Sequence, residues 1–471
     1  MPHDEPTSIT RRRLLELAAM GSAASVIAAL RIDAPRVAMA QAASEEEAEA
    51  SPSPDLEAEA DFDASPLPDV EAQVSRRRVL YRNTAIADGR RPGLRRGVSV
   101  LVSAGRIAWI RPADSEEDLG RRSNLRIIEA AGATIVPGMV DAHSHLTLPG
   151  GANWLDRVND PPARMLRVAE DNGKLAMQAG IRWFRDVGSP TVRDPEDGRR
   201  RALALGVRDR WAGRRDRPKV RSAGTWLAPP GVLRRGIAIE VHNADQLLAA
   251  ARRQMAQGAD LVKLYVQSPD PDVSPWSADE IRLVVDAVHA RGGQATAHVQ
   301  RVGPARAAVN GGVDALEHGF RLDADVARQM KRRGTFLVST LTVPRSFLAI
   351  GRAARGTPFS SRAGRRSARA LLEDAEASVR IARRAGVRIA AGTDFGGGSS
   401  RANQLAWEVE SLVAAGLQPW EALGAATWRG GQLLDEPEAG VIREGGPADF
   451  FLVHGDPLST PRALTRIWRH A

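Results

Sequence analysis

Cysteine is absent from all 471 residues of this chain. Its absence excludes disulfides, and it also excludes metal sites built on thiolates. Any bound metal must therefore be held by nitrogen and oxygen ligands, which suit zinc, manganese, cobalt or iron. Long apolar runs are scarce as well. Beyond the first 40 residues no segment offers about 18 uninterrupted apolar residues, so we expect no membrane span there.

Lysine is also rare, because four lysines (Lys174, Lys219, Lys263 and Lys331) stand among 66 basic residues. Lys263 lies inside the apolar segment DLVKLYV (260–266). Arginine could supply a positive charge there, but its guanidinium stays protonated. A buried lysine can lose its proton, and its free amine can then take up carbon dioxide to form a carbamate. That product is a carboxylate on a long arm, suited to bridging two cations.

Four histidines and an aspartate accompany this lysine in a fixed order at the ends of apolar runs. The runs are VDAHSHL (140–146), DLVKLYV (260–266), ATAHVQ (295–300), ALEHGF (315–320) and IAAGTDF (389–395). A single histidine in such a run is more often a hydrogen-bonded core residue than a metal ligand. The complete ordered set instead predicts a binuclear metal site, with the candidate ligands His143, His145, Lys263, His298, His318 and Asp394.

Short apolar runs alternate with helix-like stretches along the rest of the chain. The predicted strands are 134–143, 181–187, 219–225, 260–266, 294–299, 314–318, 335–341 and 387–393. The predicted helices include 162–179, 243–257, 277–291, 303–310, 323–333 and 368–385, and the segment 351–366 between the last strands is expected to be a mobile loop. This alternation predicts an α/β fold with a parallel (β/α)8 TIM-like barrel. Each candidate ligand lies at the C-terminal end of its strand, where barrel enzymes carry their active sites.

The first 75 residues are expected to lie outside this fold. Residues 1–40 combine Arg11-Arg12-Arg13, an apolar stretch and the small-residue site Ala38-Met39-Ala40, and they resemble a twin-arginine export signal. Residues 41–75 contain eleven acidic residues and no basic one, which is typical of a disordered linker. We therefore expect a periplasmic or secreted protein with no membrane anchor after signal cleavage.

Charge alone does not indicate a nucleic-acid partner. The whole chain carries +9, and residues 76–471 carry +19 because the linker contributes −11 and the signal +1. The arginines are scattered over many predicted helices, however, without the interleaved aromatic residues of a single-strand binder. We expect a small-molecule substrate and no nucleic acid, and a homo-oligomer is compatible with the sequence.

The motifs together resemble the amidohydrolase superfamily of metal-dependent hydrolases, and within it the carboxylated-lysine, prolidase-like branch. The resemblance runs from about residue 78 to the C-terminus and rests on PGMVDAHSH, RDVG (185–188), VKLY, AHV, EHG, GTD and GGPADFFLVHGDPL (445–458). It implies a small β-sandwich built from residues 76–135 and 440–471, beside a hydrolase barrel at 136–439.

The resemblance also implies a role for each candidate residue. His143, His145 and Asp394 would bind one divalent cation, His298 and His318 a second, and carboxylated Lys263 would bridge the two, with zinc the leading metal. Asp394 would also move the proton while a metal-bridged hydroxide attacks the scissile carbonyl. Tyr265, Asp186 and Trp226 are candidate substrate-binding or ligand-orienting residues, and Trp154 and Thr340 are further pocket candidates. Asp186 could equally form a salt bridge with Arg185 or Arg182.

The expected activity is hydrolysis of an amide bond, with dipeptides or N-acyl amino acids as the leading substrates. The alternative is deamination or ring opening of a heterocycle, as in cytosine deaminase-like and imidazolonepropionase-like relatives. Those branches generally use one metal and lack the bridging lysine, so Lys263 argues against them. Lactone or phosphoester hydrolysis is a third option. A non-enzymatic binding protein is disfavoured because every ligand is present.

Overall fold

The computed structural model describes residues 78–116, 124–151, 157–233, 236–350 and 357–471. The expected signal (1–40), the expected linker (41–75) and Trp154 lie outside these ranges. Within them, the helices are too short or too polar to cross a membrane.

The described strands and helices are numbered here in their order along the chain. The strands are β1 (Arg78–Ile86), β2 (Arg95–Ser103), β3 (Arg106–Pro112), β4 (Leu125–Glu129), β5 (Ala133–Pro137), β6 (Met139–Ser144), β7 (Ile181–Asp186), β8 (Thr191–Arg193), β9 (Arg200–Ala202), β10 (Lys219–Ser222), β11 (Leu227–Ala228), β12 (Ile239–Glu240), β13 (Leu261–Tyr265), β14 (Gln294–Val299), β15 (Ala315–His318), β16 (Phe336–Ser339), β17 (Ile389–Ala391), β18 (Phe450–His454) and β19 (Ile467–His470). The α-helices are α1 (Pro162–Gln178), α2 (Leu203–Trp211), α3 (Ala244–Ala256), α4 (Ala278–His289), α5 (Val302–Asn310), α6 (Ala324–Arg333), α7 (Thr342–Ile350), α8 (Arg362–Ala385), α9 (Leu405–Ala414), α10 (Pro419–Ala425) and α11 (Trp428–Leu433).

Parallel strands with intervening helices form the larger part of the protein, so the predicted α/β class is confirmed. One parallel sheet has the order β10-β7-β6, and another has the order β12-β11-β13-β14-β15-β16-β17. Two single parallel bridges connect these sheets, one between Ala223 and Leu261 and the other between Ser144 and Phe395. Because neighbouring parallel strands end at the same edge, the residues that follow them converge on one face.

Strands from the two ends of the described chain share a third sheet. Its order is β19-β18-β5-β1-β2-β3, with β4 also pairing with β1, and β18 runs antiparallel to β5. Tyr81 of β1 and Phe450 of β18 pack edge to face at 5.2 Å. The two-layer sandwich stays a prediction, and the predicted domain boundary at 135/136 falls inside β5.

The first predicted strand, 134–143, is two strands in the structure. β5 belongs to the sheet of the chain ends and β6 to the parallel strands, and Gly138 separates them. The Gly138 N–H donates to the Asp449 carbonyl at 2.8 Å. A Cβ on Gly138 would lie 2.4 Å from Cγ of Arg182, so this close approach requires glycine. The Pro137-Gly138 pair was the available sequence signal for this change of sheet.

Helix starts follow local capping chemistry, with one correction to the prediction. Ser277 and Glu280 form a capping box at the start of α4, which lies within the predicted helix 277–291. The expected mobile loop 351–366 is wrong over its last residues, because α8 begins at Arg362. The Ser361 side chain accepts a hydrogen bond from the Gly364 N–H and caps this helix. Residues 351–356 lie outside the described ranges.

Candidate metal centre

The structure brings the six predicted ligands to one face of the parallel strands. His143 lies in β6, Lys263 in β13, His298 in β14 and His318 at the end of β15, while His145 directly follows β6 and Asp394 lies three residues after β17. Each of the six is at most 5% exposed. The ligand atoms of His143, His318 and Asp394 lie within 4.8 Å of one another. His143 and Asp394 were expected to bind one cation and His318 the other. The two predicted cation positions are therefore adjacent.

His143 and His145 both face the carboxylate of Asp394. Oδ1 of Asp394 lies 3.3 Å from Nε2 of His143 and 3.2 Å from Nε2 of His145. The other ring nitrogen of His145 is 2.8 Å from the Gly188 carbonyl. Burial would raise the pKa of Asp394, but His143 and His145 hold that pKa well below its usual value. The carboxylate is therefore ionised, as a metal ligand must be.

His298 and His318 complete the ring of imidazoles. Their centroids are 4.5 Å apart, and His318 lies 4.8 Å from His143. Nδ1 of His318 is 2.8 Å from the Thr340 hydroxyl, so Thr340 contacts a ligand candidate. Burial lowers the pKa of both His298 and His318 well below the usual value, and neighbouring cationic groups add to this effect. Both rings are therefore neutral, the form that binds a metal ion.

His298 provides the test of whether these residues fit a metal ion. Among the described residues, neither of its ring nitrogens has a hydrogen-bond partner, although the side chain is fully buried. A buried polar atom without a partner is costly and needs an explanation. A cation bound by the unprotonated nitrogen removes that cost for one of the two atoms. The donor set of imidazoles and carboxylate, with no thiolate, fits zinc or a similar divalent ion.

Two of the ligand candidates have left-handed backbone conformations. The φ angle is 66° at His318 and 51° at Asp394, values that residues other than glycine rarely adopt. Gly397 packs directly against this turn, because a Cβ there would lie 2.3 Å from Oδ1 of Asp394. Strained backbone of this kind costs about 1–3 kcal/mol and clusters at functional sites. The strained backbone at His318 and Asp394 thus lowers the stability of the fold, while it places both side chains at the candidate site.

Lys263 lies 1% exposed beside these residues, with its backbone paired to Thr296 of β14. Burial lowers its pKa to about 8, against the opposing effect of the nearby carboxylates of Glu317 and Asp394. Part of the lysine is therefore an uncharged amine at neutral pH. That is the form able to react with carbon dioxide.

Glu317 and Arg185 form a buried network behind His143 that the sequence analysis missed. Glu317 places Oε2 2.7 Å from Nδ1 of His143, and its Oε1 accepts from Nη1 of Arg185 at 2.6 Å. The Thr296 hydroxyl donates to the same oxygen. Burial would raise the pKa of Glu317, but Arg185 and its other cationic neighbours hold the pKa well below its usual value. The sequence signal for this network was a charged residue inside each predicted strand, Arg185 in RWFRD and Glu317 in ALEH.

We expect Glu317 to orient His143 so that Nε2 faces the metal. Glu317→Gln should lower metal affinity by about 10–100-fold, because outer partners fix the ring and its tautomer. Competition with a chromophoric chelator measures this affinity.

Glu408→Gln provides the matched control, since Glu408 is equally buried and caps the end of β16. Its carboxylate accepts from the Ser339 hydroxyl at 2.7 Å and from the Thr342 N–H at 2.6 Å. This variant should lose about 1–3 kcal/mol in free energy of unfolding and keep its metal affinity. Equal metal affinities in the two variants would contradict the orienting role of Glu317.

Asp186 supports the site indirectly. Its carboxylate accepts from the N–H groups of Leu146 at 2.7 Å and Gly188 at 3.0 Å, and burial raises its pKa to about 6. It therefore helps to position Gly188, whose carbonyl contacts His145. Neither expected salt bridge forms, because Arg185 pairs with Glu317 and Arg182 pairs with Asp449.

Tyr265 and Trp226 lie against two ligand candidates. The Tyr265 ring stacks on His298 with centroids 4.1 Å apart, and the Trp226 ring lies 5.2 Å from His145. Both aromatic residues belong to one small buried apolar cluster that also contains Leu148 and Ile237. They therefore form an apolar wall at the site.

Comparison with protein families gives a match to the Amidohydrolase family over residues 134–467. An uncharacterized protein of Mycobacterium tuberculosis is 33% identical over 337 residues, covering 71% of this chain and 82% of that protein. The ochratoxinase of Aspergillus niger is 30% identical over 261 residues, covering 52% of this chain and 51% of that enzyme. The imidazolonepropionase of Salinispora arenicola is 27% identical over 408 residues, covering 79% and 90%.

Solved structures share the fold at lower sequence identity. A Xaa-Pro dipeptidase with methionine bound in its active site superposes with a TM-score of 0.68 at 22% identity, covering 83% of this chain and 97% of that chain. The ochratoxinase of A. niger superposes with a TM-score of 0.67 at 21% identity, covering 84% and 94%. At these identities the likeness concerns the fold.

Proposed function

The chain belongs to the amidohydrolase family, and on that premise we propose that it cleaves amide bonds in dipeptides or N-acyl amino acids with two bound divalent cations. A hydrolase acting on carbon–nitrogen bonds is the activity that its family and enzyme relatives support. The observation that carries the finer proposal is the buried Lys263 beside four histidines and Asp394. A single-metal site needs fewer ligands than these six.

The chain's own residues can hold both cations. His143, His145 and Asp394 would bind one, His298 and His318 the other, and a carboxylated Lys263 would be shared by both. When bound, two divalent cations lower the pKa of water and polarise a scissile carbonyl. Asp394 is the proton carrier: its ionised carboxylate accepts a proton from the attacking water and returns it to the leaving nitrogen.

Carboxylation of Lys263 requires only carbon dioxide. The neutral amine adds to its carbon, the nitrogen gives up one proton to water, and a carbamate anion results. The pKa of about 8 makes the reactive amine available near neutral pH. The reaction exchanges a potential cation for an anion beside the neutral imidazoles of His298 and His318, which suits a site for two positive ions.

We further propose that eight parallel strands close into a barrel around this site. The strands are β6, β7, β10, β13, β14, β15, β16 and β17. Two observations support closure: the Ala223–Leu261 bridge joins β10 to β13, and the Ser144–Phe395 bridge joins the ends of β6 and β17. Ligands at the C-terminal ends of these strands then occupy the usual active-site face.

Ring opening of a heterocycle is the second candidate, favoured by the imidazolonepropionase match over 79% of this chain. It predicts one metal ion and no need for an ionisable lysine. Lys263 has no evident role in that reaction, which is why we place amide cleavage first.

A substrate panel separates the two candidates. Purified metal-loaded protein is incubated with Xaa-Pro dipeptides, N-acyl amino acids and an imidazolone heterocycle, and the released amine or ring-opened product is quantified. We expect kcat/KM of about 10⁴ M⁻¹s⁻¹ or more for the best amide, with loss of activity on metal removal. Turnover of the heterocycle alone would contradict the proposal.

A further inference from the structure

Two strands that lead to ligand candidates are the edge strands of different sheets. His143 lies in β6, Asp394 lies three residues after β17, and each of these strands is at the edge of its sheet. The backbone joins them where the Asp394 N–H donates to the His143 carbonyl at 2.8 Å and the His145 N–H donates to the Phe395 carbonyl at 3.0 Å. Asp394 also has a φ of 51°, and such strained backbone persists only where its surroundings fix it. The position of Asp394 therefore requires further support.

A buried aspartate supplies this support from β6. Asp141 is 0% exposed and lies two residues before His143. Its Oδ2 accepts a hydrogen bond from the Thr393 hydroxyl at 2.6 Å, and its Oδ1 accepts from the Thr393 N–H at 3.0 Å. Thr393 directly precedes Asp394 in the chain. The Asp141 carboxylate thus holds both the backbone and the side chain of the residue before Asp394.

Thr393 extends this restraint to the whole turn that carries Asp394. Its hydroxyl oxygen accepts from the Phe395 N–H at 3.2 Å, so one hydroxyl group contacts the residue on the far side of Asp394 as well as Asp141. The Thr393 carbonyl accepts from the Ser400 hydroxyl at 2.8 Å. The residues on both sides of Asp394 are therefore fixed by hydrogen bonds that depend on Thr393.

The same carboxylate also contacts the strand of the histidines. Oδ1 of Asp141 accepts from the His143 N–H at 3.3 Å. We propose that Asp141 is a positioning residue, which through Thr393 sets the carboxylate of Asp394 against His143 and His145. This inference rests on the proposed function, because the three positioned side chains are those assigned to one cation.

Thr393→Val tests this role, because valine has the same branching at Cβ and lacks the hydroxyl. The variant loses the bond to Oδ2 of Asp141 and the acceptor for the Phe395 N–H, so the Asp394 carboxylate should leave its place beside the histidines. We expect one of two bound zinc ions to be released about 10–100-fold more readily than from the wild type. Competition between the zinc-loaded proteins and a chromophoric chelator measures this. Thr393→Ser keeps the hydroxyl and should bind zinc as the wild type does.

Glu408→Gln separates positioning from general stability. Glu408 is also a fully buried carboxylate that accepts backbone and hydroxyl hydrogen bonds, but it does so at the end of β16, which carries no ligand candidate. Both Glu408→Gln and Thr393→Val should unfold at a lower temperature, while only Thr393→Val should hold zinc more weakly. Unchanged zinc affinity in Thr393→Val, or an equal loss in Glu408→Gln, overturns the proposal.

A crystal structure of metal-free Thr393→Val tests the positioning without any cation. In the wild type, Oδ1 of Asp394 lies 3.3 Å from Nε2 of His143 and 3.2 Å from Nε2 of His145. Loss of these contacts in the variant supports the proposal, and their retention overturns it. Wild-type protein that binds two cations and cleaves amides, together with retained contacts in Thr393→Val, would refute the positioning role alone. Failure of this inference and failure of the proposed function are therefore distinguishable.

Discussion

Asp394→Asn should reduce kcat by about 10³-fold, within the range of general acid–base catalysis. Asparagine keeps the size of the side chain and one oxygen that can face the metal, but it cannot accept and return the proton. It also tolerates the left-handed backbone, where φ of Asp394 is 51°. We therefore expect the variant to fold and to keep most of its metal, so that the loss lies in kcat rather than in KM. Steady-state kinetics on the best amide substrate measures it.

Asp435→Asn is the matched control for this experiment. Asp435 has a similar left-handed backbone, with φ of 55°, but it is exposed and remote from the ligand cluster. Its replacement should leave kcat unchanged. A kcat near the wild-type value in Asp394→Asn would remove Asp394 from the proton path.

Lys263→Ala should also reduce amide hydrolysis strongly, through loss of the bound cations rather than of the proton carrier. Alanine cannot form the carbamate, so the shared anionic ligand between the two cations is lost and the cation pair should dissociate. We expect activity to fall by about 10³-fold or more, since both the activated water and the polarised carbonyl depend on the cations. Lys174→Ala is the control, because Lys174 is exposed on α1.

Chemical rescue separates lost chemistry from lost packing in Lys263→Ala. The truncation leaves space at a position that is 1% exposed in the wild type. A short carboxylate such as propionate can enter that space and replace the carbamate. We expect it to restore part of the activity of this variant and none in Asp394→Asn. Full activity without any added carboxylate would show that Lys263 is a packing residue only.

The site illustrates which features a sequence can predict. His143, Lys263, His298 and His318 lie within or at the end of apolar strand runs, and parallel pairing alone brings such ends together. Their convergence therefore follows from local periodicity plus the alternation of strands and helices. The order of the motifs along the chain added the expectation of two cations.

Other features depend on long-range register, which local sequence does not specify. Arg185 of β7 meets Glu317 of β15 although 132 positions separate them. The sequence offered Asp186 as the partner of Arg185, but the Asp186 carboxylate instead accepts two backbone N–H groups. Likewise, the Pro137-Gly138 pair marks the transfer of the chain from one sheet to another, but the apolar residues on both sides of it favoured a single predicted strand.

The metal content of the purified protein tests the central claim most directly. Divalent ions per chain are counted by mass spectrometry in the wild type and in Lys263→Ala, prepared in parallel with bicarbonate present. A pair of cations bridged by a carboxylated lysine predicts about two ions in the wild type and a marked loss in the variant. One ion in both proteins would contradict the bridged pair and move ring opening of a heterocycle to first place.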